Sequence, residues 1–153
     1  EGPKVVEFNA RLGDPEAQVV LPLVENDWAD LFRKLAAGEA GSIDLQVGSG
    51  AAACVVLASE GYPTSYETGF SISGLEEAEE AGPATAFHAA VARGPDGGLQ
   101  TDGGRVLGVT GVGADLTEAL ARAYRGAERI EFEGKYYRSD IGKKGLDALT
   151  ASG

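Results

Sequence analysis

Val5-Val6-Glu7-Phe8-Asn9-Ala10-Arg11-Leu12-Gly13-Asp14-Pro15-Glu16-Ala17-Gln18 is the stretch whose reading decides the fold. It reads as a strand, a turn and the start of a helix. Side chains of a strand alternate between faces. Val5, Glu7, Asn9 and Arg11 then share one face, and Val6, Phe8 and Ala10 share the other, which has the composition of a core. Oxygen ligands two residues apart, Glu7 and Asn9, suit a hard cation such as Mg2+, which leaves positions open for phosphate oxygens. Arg11 is placed to meet an anion held by the same metal. Gly13 ends the strand, Asp14 has the chemistry of an N-cap, and Pro15 fits the first helical position. The same alternation also describes an edge strand with its polar face in water, and spacing alone favours that reading.

Outward from this stretch the chain changes character. Asp27 caps a helix carrying Trp28, Leu31, Phe32, Leu35 and Ala36 at helical spacing, with the aromatics expected in the core, and Gly38 closes it. Glycine and serine between 38 and 50 mark a boundary between two units, 1–40 and 41–153. Ala52–Ser59 is an apolar run of strand length. Further strands are expected at 70–73, 85–92, 99–101 and 105–112. Arg93–Gly98 and Asp102-Gly103-Gly104 are expected to form hairpin turns. Leu75–Ala81, rich in glutamate, reads as a solvated loop or helical turn. Asp115 with Glu118 opens the clearest helix. Its apolar face is Leu116, Ala119, Leu120, Ala123, Tyr124 and Ala127, and Arg122, Arg125 and Arg129 are expected in solvent. Residues 146–149 suggest a last helical turn.

At 153 residues and 43% hydrophobic content, the chain is long enough to bury a core. A net charge of −11 argues against non-specific nucleic-acid binding. No apolar run approaches the ~20 residues of a membrane span, and no signal peptide is expected. The single cysteine, Cys54, lies in the Ala52–Ser59 run and reads as a small buried hydrophobe, in keeping with a reducing, cytoplasmic setting. Methionine is absent even at position 1, and the motif opens almost at residue 1, so a piece of a longer protein is expected.

Two further features have open readings. Gly103-Gly104-Arg105 can cradle a phosphate with backbone N–H groups and a guanidinium, or can be a hairpin with an exposed arginine. His88, the only histidine, can line the same cleft, but a lone histidine on a strand is more often structural, and that reading is preferred.

The segment Arg11-Leu12-Gly13-Asp14-Pro15-Glu16-Ala17-Gln18 resembles the signature of the phosphoribosylamine–glycine ligase (glycinamide ribonucleotide synthetase) family of ATP-grasp enzymes. The preceding Glu7-Phe8-Asn9 matches that family's metal-binding triplet. The resemblance continues through Gly61-Tyr62-Pro63, Ile72-Ser73-Gly74, Phe87-His88-Ala89, Thr101–Leu107 and Tyr137–Gly142, and covers about the last third of the family's chain. It departs at Ala90-Val91, where the family has Gly-Thr, and at Lys144, where the family has Arg.

The resemblance implies an α+β chain. Residues 1–40 would be the end of an ATP-grasp domain, and 41–153 a small antiparallel, β-rich, barrel-like hybrid domain with one packing helix. It implies a purine-biosynthesis ligase that joins glycine to 5-phosphoribosylamine with ATP as co-substrate, through a glycyl phosphate. Glu7 and Asn9 would hold Mg2+ or Mn2+. Arg11 would neutralise the phosphoryl group or the glycine carboxylate, Asp14 would orient an amine while capping the helix, and Gly103, Gly104 and Arg105 would hold the substrate phosphate. Glu16 is a weaker candidate, since a first-turn acid has its own reason in the helix dipole. The nucleotide-clamping half would precede residue 1, so this chain alone is expected to be inactive. The rival readings are another ATP-grasp carboxylate–amine ligase and a free-standing, non-catalytic β-rich binding module.

Overall fold

The computed structural model describes residues 2, 4–6, 8, 10–80, 82 and 84–151. Its centre is a four-stranded antiparallel sheet. The two long strands are β1 (Ala51–Ser59) and β5 (Arg105–Gly113), flanked by β2 (Ala84–His88) and β6 (Lys135–Tyr136) in the order β2-β5-β1-β6. Two short strands, β3 (Val91–Arg93) and β4 (Leu99–Thr101), form a separate ribbon. The described sheet is open, with β2 and β6 as its edges, so the barrel-like closure expected from the sequence is not seen among the described residues.

Register assigns the faces. Val55 lies opposite Val109, Leu57 opposite Leu107, and Ala53 opposite Gly111. This face is the core: Val55, Leu57, Leu107 and Val109 are fully buried. Helix α4 (Leu116–Arg129) covers it with Ala119, Leu120, Ala123, Gly126 and Ala127. Small residues on both partners let helix and sheet approach closely. The helix starts as expected: Asp115 Oδ1 accepts from the Glu118 N–H, and Glu118 Oε2 accepts from the Ala114 N–H. Arg122 is not simply solvated, because it turns back to the Val112 carbonyl and Glu118. Helices α3 (Leu75–Glu80) and α5 (Lys143–Ala151) also pack on α4, so α4 is not the only packing helix.

The opposite face of the sheet carries Cys54 and Val56 with Gly108 and Thr110. It receives α1 (Glu16–Val20) and a 3-10 turn at Leu21–Leu23, and α2 (Trp28–Ala36) follows them in the chain. Pro22 has no N–H to continue a helix, and it stands in that 3-10 turn. Asp27 caps α2, accepting from the Asp30 N–H at 2.8 Å. Gly38, at φ +75°, ends it, with the Gly38 N–H bonded to the Leu35 carbonyl and the Glu39 N–H to the Lys34 carbonyl. The chain returns through a bridge between Val24 and Val47.

Several expectations are corrected. The described residues between 4 and 11 form no strand, and Val6 and Phe8 are 96% and 90% exposed rather than buried. A strand persists only when its backbone groups are paired, and no described residue from 4 to 11 takes part in a strand or an isolated bridge. Glu7 and Asn9 lie outside the described residues. Asp14 is not the N-cap of α1: Pro15 occupies that position, with no side-chain cap. In α2 only Leu31 reaches the core, while Phe32 is 56% exposed and Trp28 half-buried. Residues 85–92 are two strands, broken at Ala89 and Ala90, whose N–H groups bond to the Val106 and Arg105 carbonyls. Asp102–Gly104 is not a hairpin, because β4 pairs with β3 while β5 pairs with β1 and β2.

Candidate functional site

Between the N-terminal elements and the edge of the sheet runs a groove of about 830 Å³. Its apolar wall is Leu21, Pro22, Trp28, Phe32 and Phe87, and its polar side is Arg11, Asp14, Gln18, His88 and Arg105. Three residues singled out from the sequence therefore meet here: Arg11, Asp14 and Arg105.

Asp14 and Arg105 form the centre of the polar side, though 91 positions separate them. Arg105 Nη1 donates to the Asp14 carbonyl at 2.9 Å, and Nη2 lies 3.1 Å from Asp14 Oδ2. Asp14 Oδ1 accepts from Gln18 Nε2 at 2.8 Å. Arg105 is delivered by the first position of β5, where a register shift between Leu57 and Ala58 sets it opposite Ala58. Arg11 Nη1 donates to the Leu12 carbonyl at 2.8 Å. Side-chain exposures of 39% for Arg105 and 44% for Asp14 leave the pair open to the groove. A guanidinium has five N–H donors, more than Asp14 engages, so Arg105 retains donors for an incoming anion.

Gly103 and Gly104 do not line this groove. The Gly104 and Gly103 carbonyls accept from the Ser59 N–H at 2.8 Å and from Ser59 Oγ at 2.9 Å. A Cβ on Gly104 would fall 2.0 Å from Tyr62 Cδ2, and one on Gly103 2.6 Å from Ala90 Cβ. Close packing of the turn is a sufficient reason for both glycines. His88, for which the structural reading was preferred, is exposed at the end of β2 and faces the groove.

Gln18, Leu21, Pro22, Trp28, Phe32 and Phe87 are among the groove residues that sequence reading did not assign to a site. Only Gln18 had a local signal, since it follows Asp14 by four residues at a helix start. The others depend on which face of the sheet and of α2 is left uncovered. No group of three His, Cys, Asp or Glu side chains suited to a metal occurs among the described residues. Asp14, already committed to Arg105 and Gln18, does not add one.

Residues 52–144 match the family model described as "Phosphoribosylglycinamide synthetase, C domain". The chain belongs to this family. Among relatives of this C domain, the phosphoribosylamine–glycine ligase of Caldanaerobacter subterraneus is 46% identical over 92% of this chain and 33% of its own length. The trifunctional purine biosynthetic protein adenosine-3 of Gallus gallus is 44% identical over 99% of this chain and 15% of its own. The crystal structure of phosphoribosylamine–glycine ligase from Thermotoga maritima superposes with a TM-score of 0.71 at 38% identity, covering 90% of this chain and 33% of that one. The chain thus spans about a third of the length of the single-activity ligases it matches. The C-domain match takes in Arg105 but begins after Asp14 and Gln18. The groove is therefore built jointly by the C domain and the segment before it.

Proposed function

We propose that this chain is the C-terminal part of a phosphoribosylamine–glycine ligase, and that the groove holding Asp14 and Arg105 receives the phosphate end of 5-phosphoribosylamine. The observation that carries the reading is the meeting of Arg105 with Asp14. It joins a C-domain residue to the Arg-Leu-Gly-Asp-Pro-Glu segment by direct contact. In this reading residues 1–40 end an ATP-grasp domain and 41–153 form the C domain, which the start of the family match at residue 52 supports.

The reaction joins the glycine carboxylate to the phosphoribosylamine amine. The γ-phosphoryl of ATP passes to a glycine carboxylate oxygen, giving glycyl phosphate and ADP. The amine then forms a C–N bond to that carbonyl carbon while the C–O bond to phosphate breaks, and the amine proton leaves to solvent or a base. Such chemistry depends on positioning and charge neutralisation. Arg11, which lines the groove, stabilises the phosphoryl group or the glycine carboxylate. Asp14 holds Arg105; with Oδ1 taken by Gln18 and Oδ2 by Arg105, its role in this reading is to position the guanidinium rather than to orient the amine. Arg105 binds the phosphate that does not react. Gly103 and Gly104, as part of the turn before Arg105, set where β5 begins. Glu7 and Asn9 are assigned to Mg2+ or Mn2+ by their pattern; the described residues alone do not make a metal site, and no step is derived through the ion. The metal would supply charge neutralisation between the ATP phosphates. Cytoplasmic placement belongs to this reading, although a relative from Arabidopsis thaliana, 44% identical, is named chloroplastic.

The test is steady-state kinetics of the full-length ligase carrying Arg105→Ala. A lost charge-assisted hydrogen bond is worth roughly 1.5–3 kcal/mol, or about one to two decades in affinity. The KM for phosphoribosylamine should rise by about that factor, with kcat and the ATP KM nearly unchanged. Arg105→Lys should recover only part, since the planar fork is lost. A phosphoribosylamine KM within about twofold of the parent would overturn the assignment.

A further inference from the structure

Gln18 has a polar arrangement that packing alone does not explain. Its side chain lies over the sheet: a Cβ on Gly108 would be 3.8 Å from Gln18 Cγ and 3.9 Å from Nε2. Nε2 donates to Asp14 Oδ1 at 2.8 Å. Oε1 is buried and has no hydrogen-bond partner among the described residues. The amide cannot be turned around to relieve this, because an amide oxygen would then face a carboxylate oxygen. A leucine or methionine would fill similar space without leaving a buried acceptor unsatisfied. The property that distinguishes glutamine here is the N–H it offers to Asp14.

Asp14 needs that N–H for a physical reason. It and Arg105 are both more than a third exposed, and an exposed ion pair is weak and loses side-chain entropy to keep one geometry. Gln18, seated against β5, occupies one carboxylate oxygen and leaves Oδ2 and the main-chain carbonyl for the two guanidinium nitrogens. Resting on the assignment of Arg105 to the substrate phosphate, we propose that Gln18 is a positioning residue. It fixes Asp14, Asp14 fixes Arg105, and the amide thereby sets affinity for the phosphate monoester without touching it.

The experiment is kinetics of the full-length ligase carrying Gln18→Leu, Gln18→Glu, Arg105→Ala, and Gln18→Leu combined with Arg105→Ala. Gln18→Leu should raise the phosphoribosylamine KM about three- to tenfold, with kcat and the ATP KM within about twofold. Gln18→Glu keeps the shape but sets a second carboxylate against Asp14, so its KM should exceed that of Gln18→Leu. A packing role would instead leave the isosteric glutamate nearest to the parent. In the Arg105→Ala background, Gln18→Leu should add nothing, because its effect runs through the missing guanidinium. If Arg105→Ala raises KM and Gln18→Leu does not, the inference fails while the phosphate assignment stands. If Arg105→Ala has no effect, both fail. If the two effects multiply, Gln18 acts elsewhere and the inference fails. Should Gln18→Leu not fold, a near-parental KM for Gln18→Glu overturns the proposal by itself.

Discussion

Replacing Gly111 with alanine puts the packing of helix on sheet to a direct test. Gly111 lies in β5 opposite Ala53 of β1 and Ala84 of β2. A Cβ there would stand 2.3 Å from the Ala119 carbonyl oxygen, 2.5 Å from the Ala123 nitrogen and 2.8 Å from Arg122 Cβ. Two of these atoms are main chain of α4, so no rotamer change clears them. Restoring ordinary van der Waals contact requires α4 to withdraw by roughly 1 Å, a gap that forfeits about a quarter to a half of the dispersion energy along the contact. Overpacking usually costs about 1–3 kcal/mol, and this site belongs at the upper end. The entropy that alanine saves in a strand offsets only about 0.5–1 kcal/mol. The net loss should be about 2 kcal/mol or more, lowering Tm by about 4–8 °C for a chain of this size. Urea unfolding followed by far-ultraviolet circular dichroism measures it. Gly108→Ala is the contrast: on the opposite face the atoms nearest its Cβ are side-chain atoms, Cys54 Sγ at 3.1 Å and Gln18 Cγ at 3.8 Å, so it should cost less. Adding Ala119→Gly should not rescue Gly111→Ala, because the obstructing atom is a carbonyl. Rescue by that second change, or a loss under about 0.5 kcal/mol for Gly111→Ala, would refute the reasoning.

Burial pushes the Cys54 thiol up, and the Asp14 carboxylate adds in the same direction, partly offset by the neighbouring Thr110. The folded thiol therefore holds its proton at pH values where the unfolded thiol has lost it. The stabilisation is complete below the unfolded thiol value of about 8.5 and declines as pH rises above it. Unfolding free energies at neutral and alkaline pH should show this decline in the parent and less of it in Cys54→Ala; equal slopes would remove the thiol from the account. Asp27→Ala removes the cap of α2 and should cost about 1 kcal/mol. With Phe32 and Leu35 more than half exposed, the loss should appear as local opening, read as faster amide exchange in α2 than in α4. Gly38→Ala meets no atom within 4 Å but must hold φ near +75°. Its cost should be conformational, about 1 kcal/mol, and Gly38→Asn should lie between alanine and the parent in melting temperature.

Local chemistry made much of this protein legible from its sequence. The apolar run ending at Ser59 is β1, the Asp115–Glu118 spacing is the start of α4, and Asp27 and Gly38 bound α2. These follow from period, capping and turn preference, which act over a few residues and need no knowledge of the rest of the chain. Arg11, Asp14 and Arg105 were also singled out: Arg11 by its spacing after Glu7 and Asn9, Asp14 by its place at a helix start, Arg105 because it follows a glycine turn, and all three by the resemblance to a family.

What the sequence could not decide is which of these pieces touch. The Asp102–Gly104 turn reads locally as a hairpin, yet sheet order sends β4 to β3 and β5 to β1 and β2. Trp28 and Phe32 have the spacing of core residues, yet they line a groove together with residues of α1 and Phe87. Alternation at residues 5–11 has the form of a strand, but pairing needs a neighbour, and no described residue there takes part in a strand or an isolated bridge. Gln18 reaches Asp14 within a single turn, whereas Asp14 reaches Arg105 only because β5 begins beside the start of α1. Period and capping are encoded by neighbours in the chain. The union of Asp14 with Arg105 across 91 residues depends on strand order and register, which are set by burial of the whole sheet.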